Sequence, residues 1–204
     1  AVANLNIDVQ LDDGIRLEII TYLSSLHHTE AWVKGGYIQF DKLPFFKSEG
    51  IDKLMEKMTI KIGHMEINYG DGHFRRTDNG NAIYNPFVGN YIMDAFDTQI
   101  GAEVYFRSNG LFLMGGITEG EIKGNIVANA PEDGYGPAFY SKVGYDKQVN
   151  DDLRLRLTGS LYTTEDYNNT NHLYDGDRTG SRYYNVIKEG NFRAGRYSPG
   201  FKKQ

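Results

Sequence analysis

The sequence predicts an all-β protein of antiparallel, up-and-down strands, and three observations carry that prediction. Apolar and polar residues alternate with period two in one segment after another, which is the pattern of a strand with one apolar face. Gly and Tyr are abundant, at 24 and 15 of 204 residues, while mean hydropathy is low. Short turns rich in Asp, Asn and Gly alternate with long links along the chain. The length suits one domain over 1–204 with its own core, and no fixed-period repeat or linker divides it.

The strands follow in order. In the first, Leu5, Ile7, Val9 and Leu11 oppose Asn6, Asp8 and Gln10. Asp12-Asp13-Gly14 reads as a hairpin turn, after which Ile15, Leu17, Ile19, Thr21 and Leu23 form the next apolar row. Trp32–Phe40 reads as a strand whose phase is blurred by Gly35-Gly36. The link 41–56 includes SEGIDKLMEK, which is expected to form a short helix with an imperfect capping box at Ser48. Met58, Ile60 and Ile62 form an apolar row that gives way, after Gly63, to Met65, Ile67 and Tyr69. A phase flip at a glycine predicts a β-bulge there.

Ile100, Ala102, Val104 and Phe106 then alternate with Gln99, Gly101, Glu103, Tyr105 and Arg107. Ser108-Asn109-Gly110 is a tight turn into Leu111–Ile117, which is apolar on both faces. That stretch fits a position under a plug or loop, or a tight barrel corner at Gly115-Gly116. Phe139, Ser141, Val143 and Tyr145 make the next row, and Asn150-Asp151-Asp152 the next turn. Leu153, Leu155, Leu157, Gly159 and Leu161 against Arg154, Arg156, Thr158, Ser160 and Tyr162 is the clearest alternation of all. About eight strands result, with a ninth expected near Arg182–Ile187.

Composition excludes several classes. With no Cys there are no disulfides, thiolate metal sites or Cys nucleophiles. A net charge of −5 without a basic stripe argues against nucleic acid as a partner. No apolar run reaches the length of a membrane-spanning helix. The opening AVANLNI, without Met or a signal-like run, reads as a processed or trimmed chain.

Alternation alone fits both a soluble β-protein with a charged outer face and a membrane barrel with a charged lumen. Three features lean toward the membrane. The strands run to about 10–12 residues, suited to a tilted crossing. Tyr22, Trp32, Tyr37, Phe40, Tyr69, Phe96, Tyr105, Phe106, Phe139, Tyr140, Tyr145 and Tyr162 gather toward strand ends, as interfacial girdles do. The polar face mixes both signs of charge, as wet pores do.

On that face fall Arg16, Glu18, Lys61, Glu66, Glu103, Arg107, Lys142, Arg154 and Arg156, with Asp8 and Asp146. They read either as a charged eyelet lining a pore or as a solvated face of cross-strand ion pairs. Asp71, His73, Arg75, Arg76 and Asp78 crowd the link 69–94. They read as a loop folded into a pore, its guanidinium forks suited to anions, or as a structural loop pinned by Arg–Asp pairs.

No constellation points to catalysis: there is no nucleophile elbow, and Asp12-Asp13 and Asp151-Asp152 read as turn residues. No metal or cofactor is expected. His27-His28 point apart if extended, and Asp175-x-Asp177-x-Thr179-Gly180 lacks the acidic twelfth residue of a calcium loop.

KIGHMEINYGDGHFRRTDNGNAIYNPFVGNYIMDAF (61–96), LYDGDRTGSRYYNVI (173–187) and FRAGRYSPGF (192–201) resemble segments of porin-like outer-membrane proteins of Bacteroidota. More remotely, they are similar to the phosphate-selective porin group. The resemblance covers most of 57–201. It implies an antiparallel up-and-down transmembrane β-barrel in the outer membrane of a Gram-negative bacterium, with short periplasmic turns and long extracellular loops. It further implies passive passage of small polar or anionic solutes, with no chemical step and no cofactor. Implied partners are outer-membrane lipid, the solutes, and further copies or other outer-membrane proteins. The alternative within the same class is a non-conducting barrel serving as a structural subunit of an assembly or secretion complex. Members of that family continue past the tail motif, so the chain is expected to be part of a larger barrel.

Overall fold

The computed structural model describes residues 2–24, 30–70, 98–120, 136–164, 183–184 and 191–192. The strands are β1 (Val2–Asp12), β2 (Ile15–Ser24), β3 (Glu30–Phe40), β4 (Met58–Glu66), β5 (Thr98–Ser108), β6 (Leu111–Thr118), β7 (Ala138–Gln148) and β8 (Arg154–Thr164). They form one sheet in chain order, every neighbour antiparallel, so the up-and-down architecture holds. The sheet is open, with β1 and β8 at its edges. Within the range of the expected ninth strand, β9 (Tyr183–Tyr184) pairs with β10 (Asn191–Phe192) among the described residues, which include only these two residues of that range.

Turn chemistry sets the registers. Ser108 pairs with Leu111 across Asn109-Gly110. Both turn residues have positive φ, 49° and 88°, the handedness that matches the twist of a two-residue hairpin. At the last hairpin the Asn150 carboxamide oxygen accepts from the Asp152 and Leu153 amides at 3.0 and 2.8 Å, closing a turn around its own side chain. The expected helix is α1 (Glu49–Met55). Ser48 makes no side-chain cap and Met55 alone of its residues is buried, so α1 rests on one anchor against the sheet.

Two phase expectations need correction. No extra residue is inserted near Gly63: β4 pairs in unbroken register with β3 and with β5 through that position. Met65 and Ile67 therefore stay in phase with Lys61 and are buried on the inner side. The flip marks an apolar patch on the polar face, not a slip of the ladder. The bulge lies instead in β3, where Ile20 and Thr21 oppose Gly35 and Val33 and leave Lys34 as the extra residue. That inserted residue is what blurs the phase of β3.

One face of the sheet is predominantly apolar, with His64 and Lys147 toward its ends. Val9, Leu17, Ile38, Ile62, Ala102, Ile117 and Phe139 stand in a single cross-strand row. Ile15, Phe40, Ile60, Val104, Gly115, Ser141 and Leu161 form the next. Neither row carries an acid or a base, and much of this face is exposed: Leu157 by 73% and Leu161 by 64%. The core sits on the other face, where Ile67, Tyr105, Met114, Ala138, Tyr140 and Tyr162 pack together.

Candidate functional site

The inner face is built from the second set of rows. Arg16, Gln39, Lys61 and Glu103 align across β2 to β5, and the row continues through Gly116, Tyr140 and Tyr162. Glu18, Tyr37, Gly63, Gly101, Thr118, Ala138 and Thr164 form the row beside it. Arg107 aligns with Phe112, and Arg156 and Arg154 with Asp146 and Gln148. Arg16, Glu18, Lys61, Glu103, Arg107, Lys142, Arg154 and Arg156 thus share one face. Glu66 differs: Met65 and Ile67 take the inner positions on either side of it, and it ion-pairs with Lys34 at the bulge.

One cavity of about 390 Å³ takes lining from β2 (Ile20) through β8 (Arg156), including Lys34, Lys61, Glu66, Glu103, Arg107 and Lys142. In a flat sheet β2 and β8 would stand about 29 Å apart at strand spacing, so the sheet curls around its polar side.

Burial on this side demands partners, and most groups have them. The Glu103 carboxylate is 2% exposed and accepts from the Tyr105 hydroxyl and, at 2.8 Å, from that of Tyr140. Gln99 donates to the Tyr162 hydroxyl at 3.0 Å and accepts from Thr118 at 2.6 Å. Tyr37 donates to Glu18 at 2.5 Å, and Arg16 pairs with Asp8 at 3.2 Å while donating to Gln39 at 2.9 Å. Arg154 grips Asp146 through two bonds of 2.7 Å, and Arg156 adds a third of 2.5 Å. For these residues the arrangement is one of cross-strand pairs. Lys61 and Arg107 differ. Lys61 Nζ sits 4.4 Å from the Tyr37 ring centre and 5.7 Å from that of Tyr105. The Arg107 guanidinium lies 5.0 Å from Tyr105 and 5.4 Å from Phe112.

Beyond β4 the chain turns across the inner face. Ile67 enters the core cluster, and Asn68 donates to the Tyr105 hydroxyl at 3.1 Å. Lys142 donates to the Asn68 carboxamide at 3.0 Å and to the Gly70 carbonyl at 2.8 Å, while the Gly70 amide donates to Ser160 at 3.0 Å. Residues 67–70 thus cross from β4 to β8 as a strap. The loop residues Asp71, His73, Arg75, Arg76 and Asp78 lie outside the described residues, as do His27, His28, Asp175 and Asp177.

The aromatic expectation needs a third correction. Tyr37, Tyr105, Tyr140 and Tyr162 point inward and bond to acids or amides, so they are no girdle facing lipid. Their phase gave the signal, since Tyr105 shares the phase of Glu103 and Arg107, and Tyr140 that of Lys142. Phe139 and Tyr145, in the opposite phase, are exposed on the apolar face. Gln99 joins the network in the phase its alternation gives it, while Asn68 and Thr118 join it without any local sequence signal. Among the described residues no group of three or more His, Asp or Glu could hold a metal ion. At the outer end of the first hairpin, the Asp13 carboxylate beside Lys42 holds that ammonium above its ordinary pKa, in an exposed pair of little energetic weight.

Comparison with protein-family models, with curated proteins and with solved structures finds no match to this chain.

Proposed function

We propose that the sheet is the wall of an outer-membrane β-barrel whose polar side lines a channel for passive diffusion of small polar or anionic solutes. One observation carries this reading: the two faces are inverted relative to a soluble domain. Glu103 and Lys142 are 2% and 3% exposed, while Leu157 and Leu161 on the other face are largely bare. In water, each large aliphatic side chain left bare forgoes about 1.5–3 kcal/mol of burial. Continuous apolar rows across a whole sheet far exceed the patch a soluble monomer exposes. Lipid resolves both anomalies, because hydrocarbon covers the apolar rows and the charged rows keep a hydrated lumen. On this reading the lipid contact is the outer face, and the solute path is the inner one. The resemblance of 61–96 and 173–201 to porin-like proteins supports the same class.

The test is conductance of the detergent-purified protein in planar bilayers, under a salt gradient. Discrete steps with a reversal potential displaced toward anions are expected. A silent bilayer from protein whose fold is verified by heat-modifiable gel mobility overturns the channel.

The strap 67–70 favours a second reading. It occupies the inner face and is held there at Tyr105, Lys142 and Ser160. If it blocks the lumen, the barrel is a structural subunit of an outer-membrane assembly or secretion complex. The same silent bilayer, together with stoichiometric partners retained through purification, is the outcome that selects it.

A further inference from the structure

At the end of the sheet where the tight turns lie, β3 and β4 are joined by a much longer link, residues 41–57, which contains α1. Both ends of this link are tied to the sheet. The Asp41 and Lys42 amides donate to the Gly14 carbonyl at 2.8 and 3.3 Å, and the Arg107 amide donates to the Lys57 carbonyl at 2.8 Å. Between them, the Phe46 amide donates to the Leu43 carbonyl and the Ser48 amide to the Phe46 carbonyl, each at 3.0 Å, and Met55 is buried. A segment fixed in this way still leaves Phe45, Phe46 and Leu54 exposed by 60%, 51% and 51%. The two phenyl rings lie 4.8 Å apart and present one apolar surface. Charge on residues 43–57 is balanced: Lys47, Lys53 and Lys57 against Glu49, Asp52 and Glu56. All six are exposed, and none is in an ion pair among the described residues.

We propose that this link is an interfacial foot, in which Phe45, Phe46 and Leu54 enter the acyl boundary of a zwitterionic phospholipid leaflet at the short-turn end. This rests on the reading of the outer face as lipid-facing. The link leaves β3 directly after Phe40, which pairs with Ile60 in an apolar row of that face, so the foot begins where the row ends. Bare rings and charged side chains in one short stretch suit the interface, where the apolar bodies enter the chain region and the charged ends stay among headgroups. Three lysines against three acids match the phosphate and the ammonium of a zwitterionic headgroup. A strongly anionic surface would instead select an excess of lysine. The apolar area of three side chains is small against the roughly 800 Å² per partner of a stable protein interface.

The experiment places a small fluorophore on Leu54→Cys in the full chain, which has no other thiol. The protein is reconstituted into phosphatidylcholine vesicles whose chains carry bromine either near the headgroup or near the chain end. Leu161→Cys, prepared in the same way, reports the outer face of the sheet. The label at 54 is expected to be quenched more by bromine near the headgroup than by bromine near the chain end. Adding Phe45→Ser/Phe46→Ser removes two anchors and should shift the foot about tenfold or more toward water, seen as loss of that quenching. Quenching at Leu161→Cys should not change. If the double variant loses its heat-modifiable mobility, Phe46→Ser alone is expected to give a smaller loss in the same direction. A label at 54 that neither lipid quenches overturns the proposal, as does quenching that survives the serine variants or appears only when phosphatidylglycerol is added. An unquenched label position that still resists a charged maleimide would show a protein cover, a second copy or a partner, in place of lipid. The two readings fail separately. Quenching at 161 without quenching at 54 sinks the foot alone. Quenching at 54 without quenching at 161 sinks the lipid-facing sheet and leaves a foot that docks the protein on a membrane surface.

Discussion

A carboxylate and a missing side chain organise the centre of the inner face. Tyr140 lies directly over Gly116: a Cβ built there would fall 2.4 Å from Tyr140 Cζ. The ring reaches Glu103 only because position 116 has no side chain. Gly116→Ala must therefore push Tyr140 off its acceptor and is expected to cost about 1–3 kcal/mol, the range for overpacking. Gly115, one residue earlier, points a Cβ into open space, and Gly115→Ala should fall within about 0.5 kcal/mol of the parent. Urea unfolding of the two variants in the same detergent makes the comparison, and equal midpoints would refute the stacking argument. Glu103 itself accepts from both Tyr105 and Tyr140. Glu103→Leu strands two buried hydroxyls, at about 1–3 kcal/mol each. Glu103→Gln keeps an acceptor and should lose less than half as much in the same unfolding assay. Equal losses for Gln and Leu would mean that charge, not hydrogen bonding, holds the pair.

At the scale of elements, the strap 67–70 is the part most open to test. Its amide at Gly70 is protected by Ser160, and its carbonyl by Lys142. Ser160→Ala removes the acceptor and should speed hydrogen exchange at the Gly70 amide about tenfold, with strand amides unaffected. Exchange unchanged at Gly70 would show that the strap is held by Ile67 packing alone. The strap also explains what was and was not legible in the sequence. Strands β1, β2, β5, β7 and β8 were legible because alternation is a local property of each segment. The buried Met65 and Ile67 read as a ladder slip, because the residues that Ile67 packs with, Tyr105, Met114 and Tyr140, are distant in sequence. The true bulge at Lys34 was hidden by adjacent glycines, which carry no phase. The charged rows were readable from the same alternation. What holds them was not: Gln99 and Tyr162 are bonded across 63 positions. Glu66, assigned to the lumen by the supposed slip, is out of phase with the inner rows but lines the cavity beside Lys34, its ion-pair partner.

For the whole molecule, the question is which solvent meets the apolar rows, and the sequence offers a clean probe of it. The chain contains no Cys, so a single introduced thiol reports without background. Val143→Cys and Leu161→Cys sit at exposed positions on the apolar face, at 54% and 64%. In protein reconstituted into vesicles these thiols should resist a charged, water-soluble maleimide. Labelled with a small fluorophore before reconstitution, they should be quenched by lipids brominated on their acyl chains. Lys147→Cys, at the end of β7 beside the turn, should react readily with the maleimide and quench little, since Lys147 is exposed outside the continuous apolar rows. The contrast matters more than either value. A sheet whose apolar face packs on another protein surface would also shield Val143 and Leu161 from the maleimide, but bromine on lipid tails would not reach them. Quenching at Val143 and Leu161 with none at Lys147 therefore requires hydrocarbon against those rows. Its absence at all three positions would return the chain to the soluble class, with the inner face as a core of hydrogen-bonded charges and the outer face as a docking surface.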